Sequence, residues 1–416
     1  MRVLIINEVC GHGSTGKICA ELAEDYAAKG NEVRIAYGRD SYVPEQCRKF
    51  AVRIGNDWDV RMHAVRTRLL DEHGFGSVHA TKKFLRWVDE YQPDLVWLHN
   101  LHGYYINIEL LFKWIKQHPE LEVKWTLHDC WAFTGHCSHF MAVGCDLWKT
   151  QCNHCSQKSE YPKSIGLDKC VTNYDRKKEC FTGVKNMTII TPSEWLAKMV
   201  KQSFLKEYPA EVVHNTIDNS VFKPTPSQFR EKYHLEEKIV LLGVANIWNE
   251  KKGLLDFLDL CYMLDDRYAI ALVGMTKKQI TNLQNRLRGS EKTISENDVT
   301  IYRAQHAVHS VDEAVGDIKE NDRTGVGCVV EPDVIKLCQK ITGRQDIAKS
   351  DNMSVHQLIC IPRTKTAEDL AKLYTMADLF VNPTHEDNYP TVNLEARACG
   401  TYVIAYDVGG TAETLL

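Results

Sequence analysis

No run of about 18 apolar residues occurs in the 416-residue chain, so no segment reads as a membrane-spanning helix. Strong charge of one sign is missing too. The 51 basic and 55 acidic residues give a formal net charge of −4, which argues against a nucleic-acid partner. Low-complexity tracts and short repeats are absent as well. A signal-type leader is also missing. MRVLIINEVC holds one charge, and Asn7 and Glu8 interrupt its apolar stretch, so it reads as a first β-strand and points to the cytoplasm.

What is present is the composition of a globular protein, 44% hydrophobic and 25% charged, with a length that suits two domains. Apolar strand-like segments alternate with helical ones: Val3–Ile6, then Ile18–Lys29, then Glu32–Tyr37. Further strands are expected at Leu95–Leu98, Val123–Leu127, Thr188–Ile190 and Glu211–Val213. The second half repeats the pattern at Ile239–Ala245, Ala269–Val273, Leu358–Ile361, Leu379–Asn382 and Tyr402–Ala405. The fold class is therefore α/β, with two Rossmann-like, doubly wound parallel-sheet domains. The expected domains are 1–218 and 219–416, with the linker in the polar stretch around Pro224 and Pro226. Two segments fall outside the pattern. One is a Cys/His-rich excursion over about 130–180; the other is a polar, weakly periodic insertion over about 285–356. The chain stops a few residues into an expected helix, as if truncated.

Gly11-His-Gly-Ser-Thr-Gly-Lys17 follows the first strand and opens the first helix. Gly13 there allows close approach of a phosphate or an acceptor to the helix start. The spelling comes near the phosphate-binding P-loop, but Ile18 stands where a magnesium-holding hydroxyl belongs. A P-loop-like ATPase or kinase is the alternative reading, and a catalytically silent nucleotide-sugar-binding protein is a third.

The C-terminal stretch carries more. A strand ends at Asn382-Pro383, a polar loop holds His385, Glu386, Asp387 and Asn388, and a helix begins near Pro390-Thr391. Backbone amides around Asn388, Tyr389, Pro390 and Thr391 suit phosphate oxygens. Glu395 suits a ribose diol, and Asp387 suits sugar hydroxyls near the anomeric carbon. Gly409 and Gly410 permit close approach of the last loop.

Asp387 and Glu395, separated by seven residues, resemble the signature of the retaining glycosyltransferases of family 4, the group 1 enzymes. The departure is Asp387, where that family usually has Glu. EDNYPTVNLEA further resembles the subgroup that builds capsule, colanic-acid-like and other exopolysaccharides. The resemblance implies a GT-B fold, with the two domains facing across a cleft. It implies transfer of a sugar from a UDP- or GDP-sugar to a glycan or polyprenyl-linked glycan acceptor, with retention and no catalytic cofactor. Lys252-Gly253 matches the family's Lys-Gly pair at the diphosphate. Ile247 falls on the usual Arg position, so Lys251 is expected to substitute. His214-Asn-Thr-Ile-Asp218 matches the turn before the interdomain linker, and His128 matches a histidine that faces the sugar. His99, Asn100 and His102, at another strand end, are candidate acceptor contacts.

Fifteen cysteines is a high count, and five lie between Cys130 and Cys155. Cys152-x-x-Cys155 with Cys137 and Cys145 suits a structural zinc; free thiols, adventitious disulfides and an iron–sulfur cluster stay open. Twelve of the 17 histidines precede Asp218. Arg61, Arg66 and Arg68, and Lys82, Lys83 and Arg86, form basic clusters interleaved with Leu69, Phe84 and Trp87. They suit either a solvated face or peripheral contact with an anionic membrane at the inner face of the cell.

Overall fold

A computed structural model describes residues 1–284, 287, 290–294, 299–304, 328–331, 333–343, 345 and 357–416. It separates into two compact units, Met1–His214 and Asn215–Leu416.

Unit 1 runs β1 (Arg2–Ile6), α1 (Gly13–Ala28), β2 (Glu32–Tyr37), β3 (Ala51–Arg53), α2 (Asp57–Leu70), α3 (Val78–Tyr91), β4 (Leu95–Leu98) and α4 (Ile108–Lys116). It continues with β5 (Glu122–Thr126), α5 (Cys170–Phe181), β6 (Met187–Thr191), α6 (Glu194–Gln202) and β7 (Ala210–Val212). The seven strands lie in the order β3-β2-β1-β4-β5-β6-β7, all parallel. Val3, Leu4, Ile5 and Ile6 are all fully buried. A central parallel strand is covered on both faces, so it reads as a continuous apolar run. Strand order reverses between β1 and β4, which makes their carboxyl ends the switch point where such sheets bind ligands.

The Cys/His-rich stretch after β5 contributes no strand among the described residues; it forms three short 3-10 turns and then α5. Helix α1 begins at Gly13, five residues before the expected start. Five of the P-loop-like residues, Gly13 to Lys17, are therefore helical already, and Lys17 lies exposed in the second turn. A phosphate cradle needs those residues as a loop, so the geometry does not favour the NTPase alternative.

Unit 2 runs α7 (Phe229–Tyr233), β8 (Ile239–Val244), α8 (Leu254–Met263), β9 (Tyr268–Val273), α9 (Lys277–Gln284), β10 (Ser290–Ile294), β11 (Thr300–Ala304) and β12 (Cys328–Glu331). Then come α10 (Val334–Thr342), β13 (Gln357–Ile361), α11 (Ala367–Met376), β14 (Leu379–Asn382), α12 (Thr391–Ala398) and β15 (Tyr402–Tyr406). The strand order is β10-β11-β13-β9-β8-β14-β15-β12. The pairs are parallel except β10 with β11 and β11 with β13.

The expected insertion is thus partly built into the sheet: β10 and β11 extend one edge, and β12 pairs with β15 at the other. SEKTI, the outermost strand β10, mixes charge with a β-branched Thr and Ile, as edge strands do. Residues 305–327 and 346–356 of that stretch lie outside the described residues. The switch point of this sheet lies between β8 and β14. No helix among the described residues is long and apolar enough to cross a membrane.

Candidate functional site

Two loops leave the carboxyl ends of β8 and β14, adjacent strands at the switch point of unit 2. The β8 loop ends in a 3-10 turn, Glu250–Lys252, capped by the Asn249 side chain, which accepts from the Lys252 amide at 2.9 Å. Gly253 then adopts φ +74°, and a Cβ there would meet Pro383 O at 2.4 Å. Glycine therefore lets the β14 loop close onto the β8 loop. Two bonds seal the contact: the His385 amide donates to Lys251 O at 2.8 Å, and Thr384 Oγ1 donates to the same oxygen at 3.2 Å.

The two lysines part at this point. Lys252 Nζ lies 2.7 Å from Asp387 Oδ2 and 3.5 Å from Thr384 Oγ1. Lys251 Nζ lies 2.8 Å from Glu386 Oε2, and Glu386 is buried. The expected stand-in for an arginine is thereby held by a carboxylate, while Ile247, at the arginine position, is exposed. Asp387 Oδ1 also accepts from the Tyr389 amide at 3.2 Å, so its carboxylate is fixed from both sides. His385 Nε2 sits 2.9 Å from Asp256 Oδ2, and the Tyr406 hydroxyl donates to Asp256 Oδ1 at 2.6 Å. Burial would raise the Asp256 pKa, but the His385 and Tyr406 bonds outweigh it and lower it; the same bond raises that of His385.

Helix α12 starts after Pro390 without a side-chain cap, so its first amides are not taken by a capping side chain. Thr391 is its first residue. Glu395 lies one turn in, and its Oε2 accepts from the Tyr374 hydroxyl at 2.9 Å. Burial, with Glu395 second, pushes the Tyr374 pKa well up and keeps it a donor. Asn382, Asn393 and Thr414 form a buried chain of 2.8 Å bonds that ties β14 to α12 and the last turn. Asn388 is buried in the β14 loop. Gly409 (φ +61°) and Gly410 follow β15, the neighbour of β14, at the same sheet edge. The structure thus brings Lys251, Lys252, Asp387, Asn388, Tyr389, Pro390, Thr391 and Glu395 onto one pair of loops and one helix start. Tyr374, Thr384 and Asp256 join them; Tyr374 and Asp256 are remote in sequence and carry no signal before the fold is known, whereas Thr384 lies in the same loop as Asp387.

In unit 1, His99 and His128 end β4 and β5. Their rings stack, and His99 Nδ1 lies 3.0 Å from His128 Nε2. Burial lowers both pKa values; the His128 charge adds to this at His99, while at His128, brought to about 4, Asp129 opposes it and His102 adds to it, so both are neutral near pH 7. His102 Nε2 lies 2.8 Å from Asp129 Oδ2, and its Nδ1 lies 3.1 Å from the Tyr161 hydroxyl. Burial opposes charge on both partners, yet Asp129 raises His102 while His102 lowers Asp129 to about 2. Asn100 is fixed by its amide bond to Asn7 Oδ1 at 3.3 Å. Gly13 (φ +66°) opens α1 beside the β1 end. Asp129 was readable only as the neighbour of His128; its pairing with His102 needs the β4–β5 adjacency.

Cys137, Cys145, Cys152 and Cys155 line one cavity of about 60 Å³ with His136 and Cys170. All are free thiols. The Cys137 thiol donates a hydrogen bond to the Cys155 sulfur, and this hydrogen bond holds the Cys155 pKa below the usual thiol value. Among the described residues, no group of three or more His, Cys, Asp or Glu side chains is arranged to hold a metal ion.

Residues 346–416 match the family model described as Glycosyl transferases group 1. That segment carries Asp387 and Glu395. Over 132 residues, or 30% of this chain and 32% of the relative, the chain is 29% identical to the putative colanic acid biosynthesis glycosyl transferase WcaC of Escherichia coli K12. Over 46 residues, 11% of this chain and 10% of the relative, it is 48% identical to a D-inositol 3-phosphate glycosyltransferase of Salinispora arenicola. The matches therefore span about a third or less of these relatives.

Similar solved structures span nearly the whole chain. The sucrose-phosphate synthase of Thermosynechococcus elongatus superposes at TM-score 0.57 and 14% identity, covering 100% of this chain and 83% of that one. Anabaena HepE in complex with UDP gives 0.53 and 12%, covering 99% and 82%. With the two parallel-sheet units, these likenesses show a GT-B fold class.

Proposed function

We propose that this chain is a glycosyltransferase that moves a sugar from a nucleotide diphosphate sugar to an acceptor hydroxyl, with retention at the anomeric carbon. The observation that carries the reading is the Lys252–Asp387 pair beside the uncapped α12 start and Glu395, at the switch point of a doubly wound sheet. It is supported by the group 1 match over the same segment and by the UDP and UDP-glucose that HepE binds.

In this reading the α12 amides receive phosphate oxygens. Glu395, steadied by Tyr374, takes the ribose diol. Asp387 orients the donor sugar, and Lys252, released from it by the incoming diphosphate, neutralises charge on the leaving group. Lysine and amides meet that charge in place of a divalent cation. The departing phosphate takes the proton of the acceptor hydroxyl, which attacks from the same face. His128 is assigned to the sugar, and His99, Asn100 and His102 to the acceptor. The likeness to WcaC supports a role in cell-surface polysaccharide synthesis, with a glycan or polyprenyl-linked glycan acceptor.

Thermal shift with UDP, GDP and ATP, repeated on Glu395→Ala, tests the donor site. A nucleotide at a hundred times its Kd stabilises by about 2.7 kcal/mol. UDP or GDP should do so, and Glu395→Ala should abolish it. Stabilisation by ATP alone, indifferent to Glu395, sinks the reading. A screen of nucleotide sugars for slow hydrolysis then separates an enzyme from a silent binder.

A further inference from the structure

Helix α2 packs on unit 1 with only one side. His63 and Thr67 are buried, and Val60 rests against the core. At about 100° per residue, Trp58, Met62, Val65 and Leu69 fall within an arc of roughly 60° on the opposite side. All four face solvent, at 48% to 67% exposure. A solvent-facing helix side normally carries polar residues, so this stripe inverts the usual pattern.

The stripe does not end with the helix. The Ile165 amide donates to Arg68 O at 2.8 Å and the Leu167 amide to Leu69 O at 3.2 Å. Ile165 (65% exposed) and Leu167 (53%) thus extend it to six large apolar side chains. Helical spacing sets Arg66 on one flank and Arg61 and Arg68 on the other. Arg66 pairs with Glu72, whereas Arg61 and Arg68 make no ion pair among the described residues. Lys163 adds an exposed cation beside Ile165. The nearby acids are engaged: Asp57 with Arg53, Asp59 in the Asn56 capping box, and Asp168 with the Cys170 amide.

An apolar stripe flanked by cations, with a tryptophan at one end, is the chemistry of a helix lying in a lipid interface. A protein partner would also be served by apolar contact, but the cations on both flanks select an anionic surface. We propose that α2 with the Ile165–Leu167 loop is a docking surface for an anionic lipid bilayer. The α3 cluster is set apart from it: Phe84 is buried, so Lys82, Lys83 and Arg86 have no comparable stripe between them. The proposal deepens the reading of a lipid-linked acceptor, yet vesicle binding is measured without turnover, so each can fail alone.

The full chain is sedimented with vesicles of phosphatidylcholine, with and without phosphatidylglycerol. Binding should be at least on the order of tenfold stronger to the anionic vesicles and should weaken as salt is raised. Arg61→Gln with Arg68→Gln should weaken it by roughly 25-fold, about fivefold for each charge. Trp58→Ser with Met62→Ser, Val65→Ser and Leu69→Ser should abolish it, while Lys82→Gln with Lys83→Gln and Arg86→Gln should leave it near the parent value. Circular dichroism confirms that each variant is folded, and the arginine pair decides the matter if the serine set is not. Equal binding to both vesicle types, or an α3 variant that loses as much as the arginine pair, overturns the proposal. So does a parent dimer that the serine set converts to a monomer while vesicles bind neither.

Discussion

Lys251 and Lys252 are adjacent in sequence but face different carboxylates, and their loss should separate. Lys252→Ala removes the cation beside Asp387 and should cut turnover about 10²–10³-fold, the usual cost of losing one preorganised charge partner. Its melting temperature should hardly move. Lys251→Ala strands a buried Glu386 and should cost about 1–3 kcal/mol of stability. Steady-state kinetics and thermal melts on the two variants check the contrast; reversed effects would exchange the roles of the lysines. Spacing from Glu395 was enough to single out Asp387 over Glu386. It could not say that Glu386 is buried, because the lysine that holds it comes from a loop 135 positions away. The Tyr374 clamp on Glu395 was out of reach for the same reason.

At the scale of elements, Gly253 is the hinge on which the β8 and β14 loops meet. Gly253→Ala forces a side chain onto φ +74° and against Pro383 O. It should destabilise by more than about 1 kcal/mol and lower nucleotide affinity as well, because the loops part. Calorimetric titration with UDP beside a thermal melt would expose an affinity that stays intact. The cysteine segment gives a second test. Cys137, Cys145, Cys152 and Cys155 line one cavity, and the expected structural zinc would make one metal ion per chain. Metal analysis after anaerobic purification decides; about one zinc per chain would mean that the thiols turn to a common centre.

The alternation of strands and helices was legible because buried parallel strands such as Val3–Ile6 are continuous apolar runs. Three-residue β3, the charged edge strand β10 and its neighbour β11 were not, since their pairing comes from neighbours and not from their own composition.

For the whole molecule, acid should act on the two units with opposite sign. In unit 1, burial lowers the pKa of His63 and His128 to about 4 and holds those of His73 and His99 well below the usual histidine value. Each contributes stability that is complete above about pH 6.5 and lost as pH falls toward 4. His102 runs the other way: raised by Asp129, it stabilises below about pH 6.5 and loses that contribution as pH rises through its folded value. In unit 2, His385 is raised by Asp256 and likewise favours the folded state below about pH 6.5. Four histidines against one leave unit 1 the acid-sensitive half. Amide exchange at pH 7 and pH 4.5 should show protection falling in Met1–His214 well before Asn215–Leu416; equal loss in both would contradict it.

Every contact described around Lys252, Asp387 and Glu395 is made by residues of the second unit alone. On the proposed reading, donor recognition lies within this unit. Exchanging Asn215–Leu416 between chains of this fold should then carry the choice of nucleotide with it, leaving the other unit's side chains untouched.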